Sequence, residues 1–194
     1  IRFWYFSETV SMRSQKKISG ERLDLVIFIE AFISRDYLGW INDSEVTKYL
    51  EVGNTTQTMR SLREYVEKFN DENNFMFAIV AKPEKIHIGN VTLQKIDWFH
   101  KYGTEGIMIG RKDYWGKGYA TEARRMMLRF AFFDLGLNKV VSGAFEENFA
   151  GIRSNSKLGY QTEGLLRKHK LLNGQYKDEV RQGLLKEEFI LNDQ

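Results

Sequence analysis

The residues with the clearest chemical potential are two glycines, Gly116 and Gly118, which stand one residue apart just before a predicted helix. The first turn of a helix has backbone N–H groups without intrahelical acceptors, and the positive end of the helix dipole lies there. Because glycine has no Cβ, an anion can approach the main chain closely at both positions. The spacing therefore predicts a turn that binds phosphate through backbone amides.

The neighbouring residues place this turn between a strand and a helix. Residues 106–110 form a short apolar run that is typical of a strand. The turn differs from common nucleotide-binding loops, because a dinucleotide fingerprint needs a third glycine and a triphosphate loop needs Ser or Thr after Gly-Lys, whereas Lys117 precedes Gly118. Downstream, apolar side chains recur at helical spacing: Ala123, Met126, Met127, Phe130 and Phe133.

Periodicity and turn signals predict the other elements. Across Gly89-Asn90 the apolar phase slips, which either a β-bulge or a strand buried on both faces would explain. Asn173-Gly174 is a strong hairpin signal. We predict strands at 23–28, 75–81, 86–97, 103–110, 139–145, 160–172 and 176–186, and helices at 34–41, 57–70, 120–134 and 148–158.

The block at residues 115–123 resembles the acyl-CoA diphosphate loop of the GNAT N-acetyltransferase superfamily. That family's pattern begins with Gln or Arg, whereas this chain has Trp115. A tryptophan followed by Thr121-Glu122-Ala123 is similar to the RimJ/RimL-type branch, named for enzymes that acetylate ribosomal protein N-termini. The resemblance spans about residues 18–190, with further matching stretches in the expected order at 21–25, 40–46, 148–160, 163–167 and 173–178.

The resemblance implies the α+β fold of the GNAT acyl-CoA N-acyltransferases. This fold is a mixed, mostly antiparallel twisted sheet of about seven strands flanked by about four helices. One such domain is expected over residues 12–194. Residues 1–11 contain no Met and are expected to be a non-native or disordered extension, with translation beginning at Met12.

Acetyl-CoA is the co-substrate that the resemblance implies, with no metal. The acetyl carbonyl and the pantetheine amides would meet backbone groups of Met108, Ile109 and Gly110. Asn148 matches a family position that bonds the pantetheine arm, and it would also cap the following helix. Lys117 would either add charge or remain a solvated lysine. The diphosphate would meet the loop that begins at Trp115, through the N–H groups of Gly116, Lys117, Gly118, Tyr119, Ala120 and Thr121.

Transfer of an acetyl group also needs a hydrogen bond to the leaving thiolate and a base for the amine. Many family members have a tyrosine where this chain has Asn155, so Asn155 is predicted to donate to a thiolate whose thiol has a pKa of about 8.5. Ser154 and Ser156 are alternative donors. Glu105 and Glu146 are the candidate general bases, and the competing interpretation is that each is an exposed carboxylate without a catalytic role.

Composition excludes several classes of protein. The net charge is +3, from interspersed Lys, Arg, Asp and Glu, so the chain lacks the basic stripe typical of nucleic-acid-binding proteins. No apolar run is long enough to span a membrane. With no cysteine and three scattered histidines, a thiol nucleophile is excluded, a metal site is disfavoured and a reducing, cytoplasmic location is favoured.

The sequence thus predicts an acetyl-CoA-dependent N-acetyltransferase that works by direct attack in a ternary complex. The acceptor would be the primary amine of a small molecule or peptide: a protein N-terminus, an amino sugar, a polyamine or an aminoglycoside. The basic residues 167–170 favour a neutral or anionic acceptor. Residues 44–54, 98–102 and 167–176 are expected to set acceptor specificity. A homodimer is compatible with the resemblance, and the alternative function is a non-catalytic acyl-CoA-binding sensor.

Overall fold

The computed structural model describes residues 17–192, and the predicted extension at residues 1–11 lies outside them. The described residues form a single eight-stranded sheet in the order β1-β2-β3-β4-β5-β6-β8-β7. Its strands are β1 (Lys17–Ser19), β2 (Leu23–Ile27), β3 (Phe75–Ala81), β4 (Ile86–Asp97), β5 (Tyr102–Ile109), β6 (Lys139–Phe145), β7 (Gln161–Leu172) and β8 (Gln175–Leu185). The α-helices are α1 (Arg35–Ile41), α2 (Met59–Glu67), α3 (Tyr119–Arg129), α4 (Phe149–Lys157) and α5 (Lys186–Asn192).

This architecture confirms the predicted α+β fold and its mostly antiparallel mixed sheet, with one more strand and one more α-helix than expected within residues 17–192. The extra strand, β1, has three residues, too few to produce an alternating pattern. The extra helix, α5, begins at Lys186, where the sequence predicted the end of a strand. The Glu188 carboxylate stabilises this start by accepting a hydrogen bond of 2.8 Å from the Leu185 N–H group.

A β-bulge lies where the apolar phase of β4 slips. Ile79 of β3 is opposite Gly89, and the next residue, Val80, is opposite His87, so Ile88 is the extra residue. The Ile88 carbonyl accepts hydrogen bonds from the N–H groups of Gly110 (2.9 Å) and Arg111 (3.1 Å). Residues 88–93 are also all buried, so both explanations offered for the phase slip hold.

Helices cover both faces of the sheet. Side chains alternate between the faces of a strand, so Phe75 and Phe77 face one layer and Met76 the other. The two phenylalanines pack edge to face on Phe130, with ring centroids 5.3 and 5.4 Å apart, in the main core beneath α3. Met76 instead joins a second core with Tyr37, Ile41 and Leu62 of α1 and α2, and Trp40 packs against this core.

The two strands at the centre of the sheet separate along their length. β5 and β6 pair in parallel only at Tyr102↔Lys139, Gly103↔Val140 and Thr104↔Val141. Beyond these pairs β5 stays with β4 as far as Ile109, and β6 stays with β8 as far as Phe145. The sheet therefore opens between the two strands. In residues 17–192 no helix is long and apolar enough to cross a membrane.

Candidate active site

The opening between β5 and β6 is a cavity of about 880 Å³. Its walls come from both central strands, from the first half of α3, from α4 and from the segment that joins α1 to α2. Of the loops expected to contact the acceptor, residues 49–52 and Lys170 line the cavity, whereas residues 98–102 do not. These residues lie instead at the start of β5, where that strand is still paired with β6.

The loop before α3 provides free backbone donors. Gly118 caps the helix with a left-handed backbone (φ 83°), and Gly116 also has a positive φ of 70°. Within the part of the chain that the structure describes, no N–H group from Gly116 to Thr121 donates to a protein acceptor. These donors and the positive end of the helix dipole form a site that suits a diphosphate.

Arg22 holds this loop in place, although the sequence analysis gave Arg22 no role. Its backbone N–H and its Nε donate to the two oxygens of Glu122, at 2.9 and 2.8 Å. Nη1 donates to the Lys117 carbonyl at 2.8 Å, and the guanidinium lies 4.8 Å from the centre of the Tyr119 ring. Arg22 therefore ties the β1–β2 turn to the loop and adds positive charge beside the free donors. The Lys117 residue itself is exposed.

Two of the three residues predicted to bind pantetheine through the backbone are already engaged. The Gly110 N–H group donates to the Ile88 carbonyl, and the Ile109 carbonyl accepts from the Trp115 indole at 2.8 Å. The Gly110 N–H group is therefore not free for a ligand. Trp115 fixes the loop to the end of β5. Met108 lines the cavity.

Glu105 lies in a buried polar cluster beneath α3. Its carboxylate accepts two hydrogen bonds from Arg124, at 2.7 and 3.0 Å, and one from the Tyr160 hydroxyl at 2.5 Å. Burial by itself lowers the pKa of Arg124, but the Glu105 charge and hydrogen bonds, together with Tyr160, outweigh burial and raise the pKa. Burial, followed by the Glu105 charge, raises the pKa of Tyr160 well above its ordinary value. Glu105 is therefore fully paired, which is unlike the free base that the sequence predicted.

Of the other predicted catalytic side chains, some line the cavity and others do not. Asn155 is 4% exposed, lines the cavity and donates to Gln182 Oε1 at 2.8 Å. Ser154 also lines it, whereas Ser156 is exposed and donates to the Ile152 carbonyl. Glu146 is exposed and does not line the cavity, so its position does not fit a base that reaches the acetyl group.

Asn148 caps α4 as predicted, because its side-chain oxygen accepts a hydrogen bond of 3.0 Å from the Gly151 N–H group. It also lines the cavity. Sequence analysis missed a further carboxylate in the cavity, Glu179 on β8, which is 5% exposed. Among the described residues no three His, Cys, Asp or Glu side chains are placed to share a metal ion.

Comparison with known proteins agrees with this geometry. The acetyltransferase (GNAT) domain family matches residues 27–161. The SPbeta prophage-derived N-acetyltransferase YokL of Bacillus subtilis is 33% identical over 151 residues, which cover 77% of this chain and 84% of that protein. Spermidine N(1)-acetyltransferase of Escherichia coli K12 is 29% identical over 126 residues, covering 65% and 66% of the two chains.

A solved structure shares the fold. The spermidine N-acetyltransferase of Vibrio cholerae, in complex with CoA and spermine, superposes with a TM-score of 0.79 at 23% identity, covering 88% of this chain and 99% of that one. The chain belongs to the GNAT acetyltransferase family. It is an acetyl-CoA-dependent acyltransferase of the N-acetyltransferase type.

Replacing Glu105 by Gln tests the buried ion pair. Glu105→Gln leaves the Arg124 charge buried without a counter-charge, so we expect the free energy of unfolding to fall by about 3–5 kcal/mol in urea titrations. Glu64→Gln is the control, because its i,i+4 pair with Arg60 is exposed to solvent, and we expect no measurable change. Equal stability of the two variants would contradict the structural role of Glu105.

Replacing Gly118 by Asp tests the anion site. The new carboxylate would lie beside Arg22, where it would compete with a diphosphate. Because charge-assisted hydrogen bonds are lost, we expect the calorimetric Kd for acetyl-CoA to rise by about 100-fold or more. Gly136→Asp is the matched control, since Gly136 also has a positive φ (68°), where an Asp residue would be strained, and it lies beyond the other end of α3. A rise shared by both variants would assign the effect to strain.

Proposed function

We propose that this protein transfers the acetyl group of acetyl-CoA to a primary amine by direct attack in a ternary complex. The observation that carries the proposal is the row of free N–H donors from Gly116 to Thr121, placed where α3 borders the open cavity. These donors fit the diphosphate of CoA, and the split between β5 and β6 gives the thioester arm a route between the two strands.

Asn155 is the proposed hydrogen-bond donor to the thiolate that leaves. A thiol has a pKa of about 8.5, so its thiolate is a tolerable leaving group near neutral pH and needs only partial stabilisation. Gln182 holds one amide hydrogen of Asn155 and so orients the other. Met108 and Asn148, which both line the cavity, are the proposed contacts for the pantetheine arm.

The proposed acceptor is a small molecule or peptide with a primary amine. The basic run at 167–170 gives less support to an anionic acceptor than the sequence suggested, because Lys170 pairs with Glu51 at 2.5 Å and His169 lies 3.4 Å from Glu179. Relatives named as spermidine acetyltransferases make a cationic amine a natural candidate. The loop at 115–123, with Trp115 in the first position, supports placement in the RimJ/RimL-like branch.

A turnover screen tests this function. Four amine probes are offered to the purified protein with acetyl-CoA: spermidine, glucosamine, kanamycin and a peptide with a free N-terminus. With at least one of them the protein should release free CoA, which a thiol reagent detects. Mass spectrometry should find the amine heavier by one acetyl group. Tight binding of acetyl-CoA without turnover of any probe would favour the sensor function instead.

Replacing Asn155 by Ala separates catalysis from binding. Because the proposed hydrogen bond forms with the developing thiolate, we expect Asn155→Ala to lower kcat by about 10- to 100-fold and to change the Kd of acetyl-CoA by less than about threefold. Ser156→Ala should behave like the wild type, since that hydroxyl lies outside the cavity lining. Equal losses in kcat and acetyl-CoA affinity would make Asn155 a binding residue.

A further inference from the structure

Glu179 is a buried carboxylate in the cavity that the function proposed above leaves without a role. Its Oε2 atom is shielded from solvent and accepts no hydrogen bond within the described residues. The basic side chains of His169 and Arg181 lie close by, with Nε2 and Nη2 each 3.4 Å from this oxygen. Burial of a carboxylate without hydrogen bonds is costly, so the group is expected to meet a donor when the protein works.

The other oxygen of Glu179 lies at the opening between the strands. A Cβ atom on Gly143 would overlap Glu179 Oε1, so the carboxylate rests directly on the main chain of β6. Gly143 is two residues beyond Val141, the last residue of β6 that pairs with β5. Oε1 accepts no hydrogen bond from the described residues. Glu179 therefore presents an unpaired oxygen at the point where the sheet divides.

Strand alternation places Glu179 on the side of the sheet opposite α3. Val140 and Leu184 are directly opposed and both belong to the main core beneath α3. Gln182, which binds Asn155 of α4, is two residues from Leu184 and shares that face. Glu179 is an odd number of residues from Gln182, so it points to the other face, which α1 and α2 cover. Glu105 points toward α3.

We propose that Glu179 receives the acceptor amine as its ammonium ion and takes the proton that the amine must lose before it attacks the thioester. The inference rests on the proposed function and assigns its acceptor site. A carboxylate with an unpaired oxygen is matched to an ammonium donor, so the site selects cationic primary amines over neutral nucleophiles. Such amines have a pKa of about 8–10, so a proton acceptor is needed near neutral pH.

The step balances in protons and electrons. One N–H proton passes from the ammonium to the Glu179 carboxylate, and the freed lone pair forms the C–N bond at the acetyl carbonyl carbon. The C–S bond then breaks with its electron pair on sulfur, and a second proton from the nitrogen neutralises that thiolate. Glu179 returns to the carboxylate by releasing its proton to solvent. Arg181 stabilises its negative charge between turnovers.

Three variants test this role. Glu179→Gln keeps the shape of the side chain and removes its charge. Gly143→Ala keeps the carboxylate and forces it to move, because of the overlap with Oε1. Glu163→Gln is the matched control: this β7 carboxylate also lies against a strand glycine, Gly183, but it pairs with Lys139 and does not line the cavity. Each variant is assayed with acetyl-CoA and the four amine probes, beside thermal unfolding and calorimetric binding of acetyl-CoA.

For the amine that the wild type uses best, we expect Glu179→Gln to lower kcat/KM by about 100-fold or more, with a higher KM and a lower kcat. Gly143→Ala should lower kcat/KM by about 10-fold. In both variants the Kd of acetyl-CoA should stay within about threefold of the wild-type value. The kcat/KM of Glu163→Gln should likewise stay within about threefold of the wild-type kcat/KM.

The inference is overturned if Glu179→Gln keeps its kcat/KM, if Glu163→Gln loses as much, or if acetyl-CoA binding falls together with turnover. Each of these results would leave wild-type acetylation intact and the proposed function standing. Wild-type protein that acetylates none of the four probes would instead overturn the proposed function, and the role of Glu179 with it.

Discussion

The separation of β5 from β6 after three parallel residue pairs is the constraint on which the site depends. Each strand pairs over a greater length with its other neighbour, because β5 pairs with β4 as far as Ile109 and β6 pairs with β8 as far as Phe145. Because the β4–β5 and β6–β8 pairings both continue, the sheet divides between β5 and β6. The division leaves main-chain groups at two strand edges without a sheet partner, and a substrate that carries amides can pair with such edges.

Helix α3 closes one side of this division, and a buried ion pair fixes its position. Arg124 of the helix and Glu105 of β5 are joined by two hydrogen bonds, and Tyr160 donates a third to the same carboxylate. An arrangement with so many directional contacts allows little change in the distance between helix and strand. The loop at the start of α3 is held in turn by Arg22 and Trp115. The free donors of the loop are therefore fixed relative to the cavity.

Much of this structure could be predicted from local signals. The strand Lys139–Phe145 has the predicted bounds, and Asn148 caps α4 as its position suggested. The two loop glycines lie directly before α3, as their spacing indicated. Predictions were less successful for residues whose role depends on a distant partner. Glu105 was predicted to be a free base because Arg124 and Tyr160 are 19 and 55 residues away in the chain.

By itself, the sequence determined most of the order of the elements and the glycine turn before α3, because these follow from side-chain periodicity and from glycine within short windows. It indicated the family through a resemblance of ordered motifs. Only the tertiary structure decided which carboxylate faces which side of the sheet. Glu105 and Glu179 both occur in strands of similar pattern, and nothing nearby in the chain distinguishes them. Both side chains line the cavity, but the packing of α3 pairs Glu105 with Arg124, whereas the pairing of β6 with β8 places Glu179 on the opposite face of the sheet. These contacts join residues far apart in the chain, so no local window encodes them.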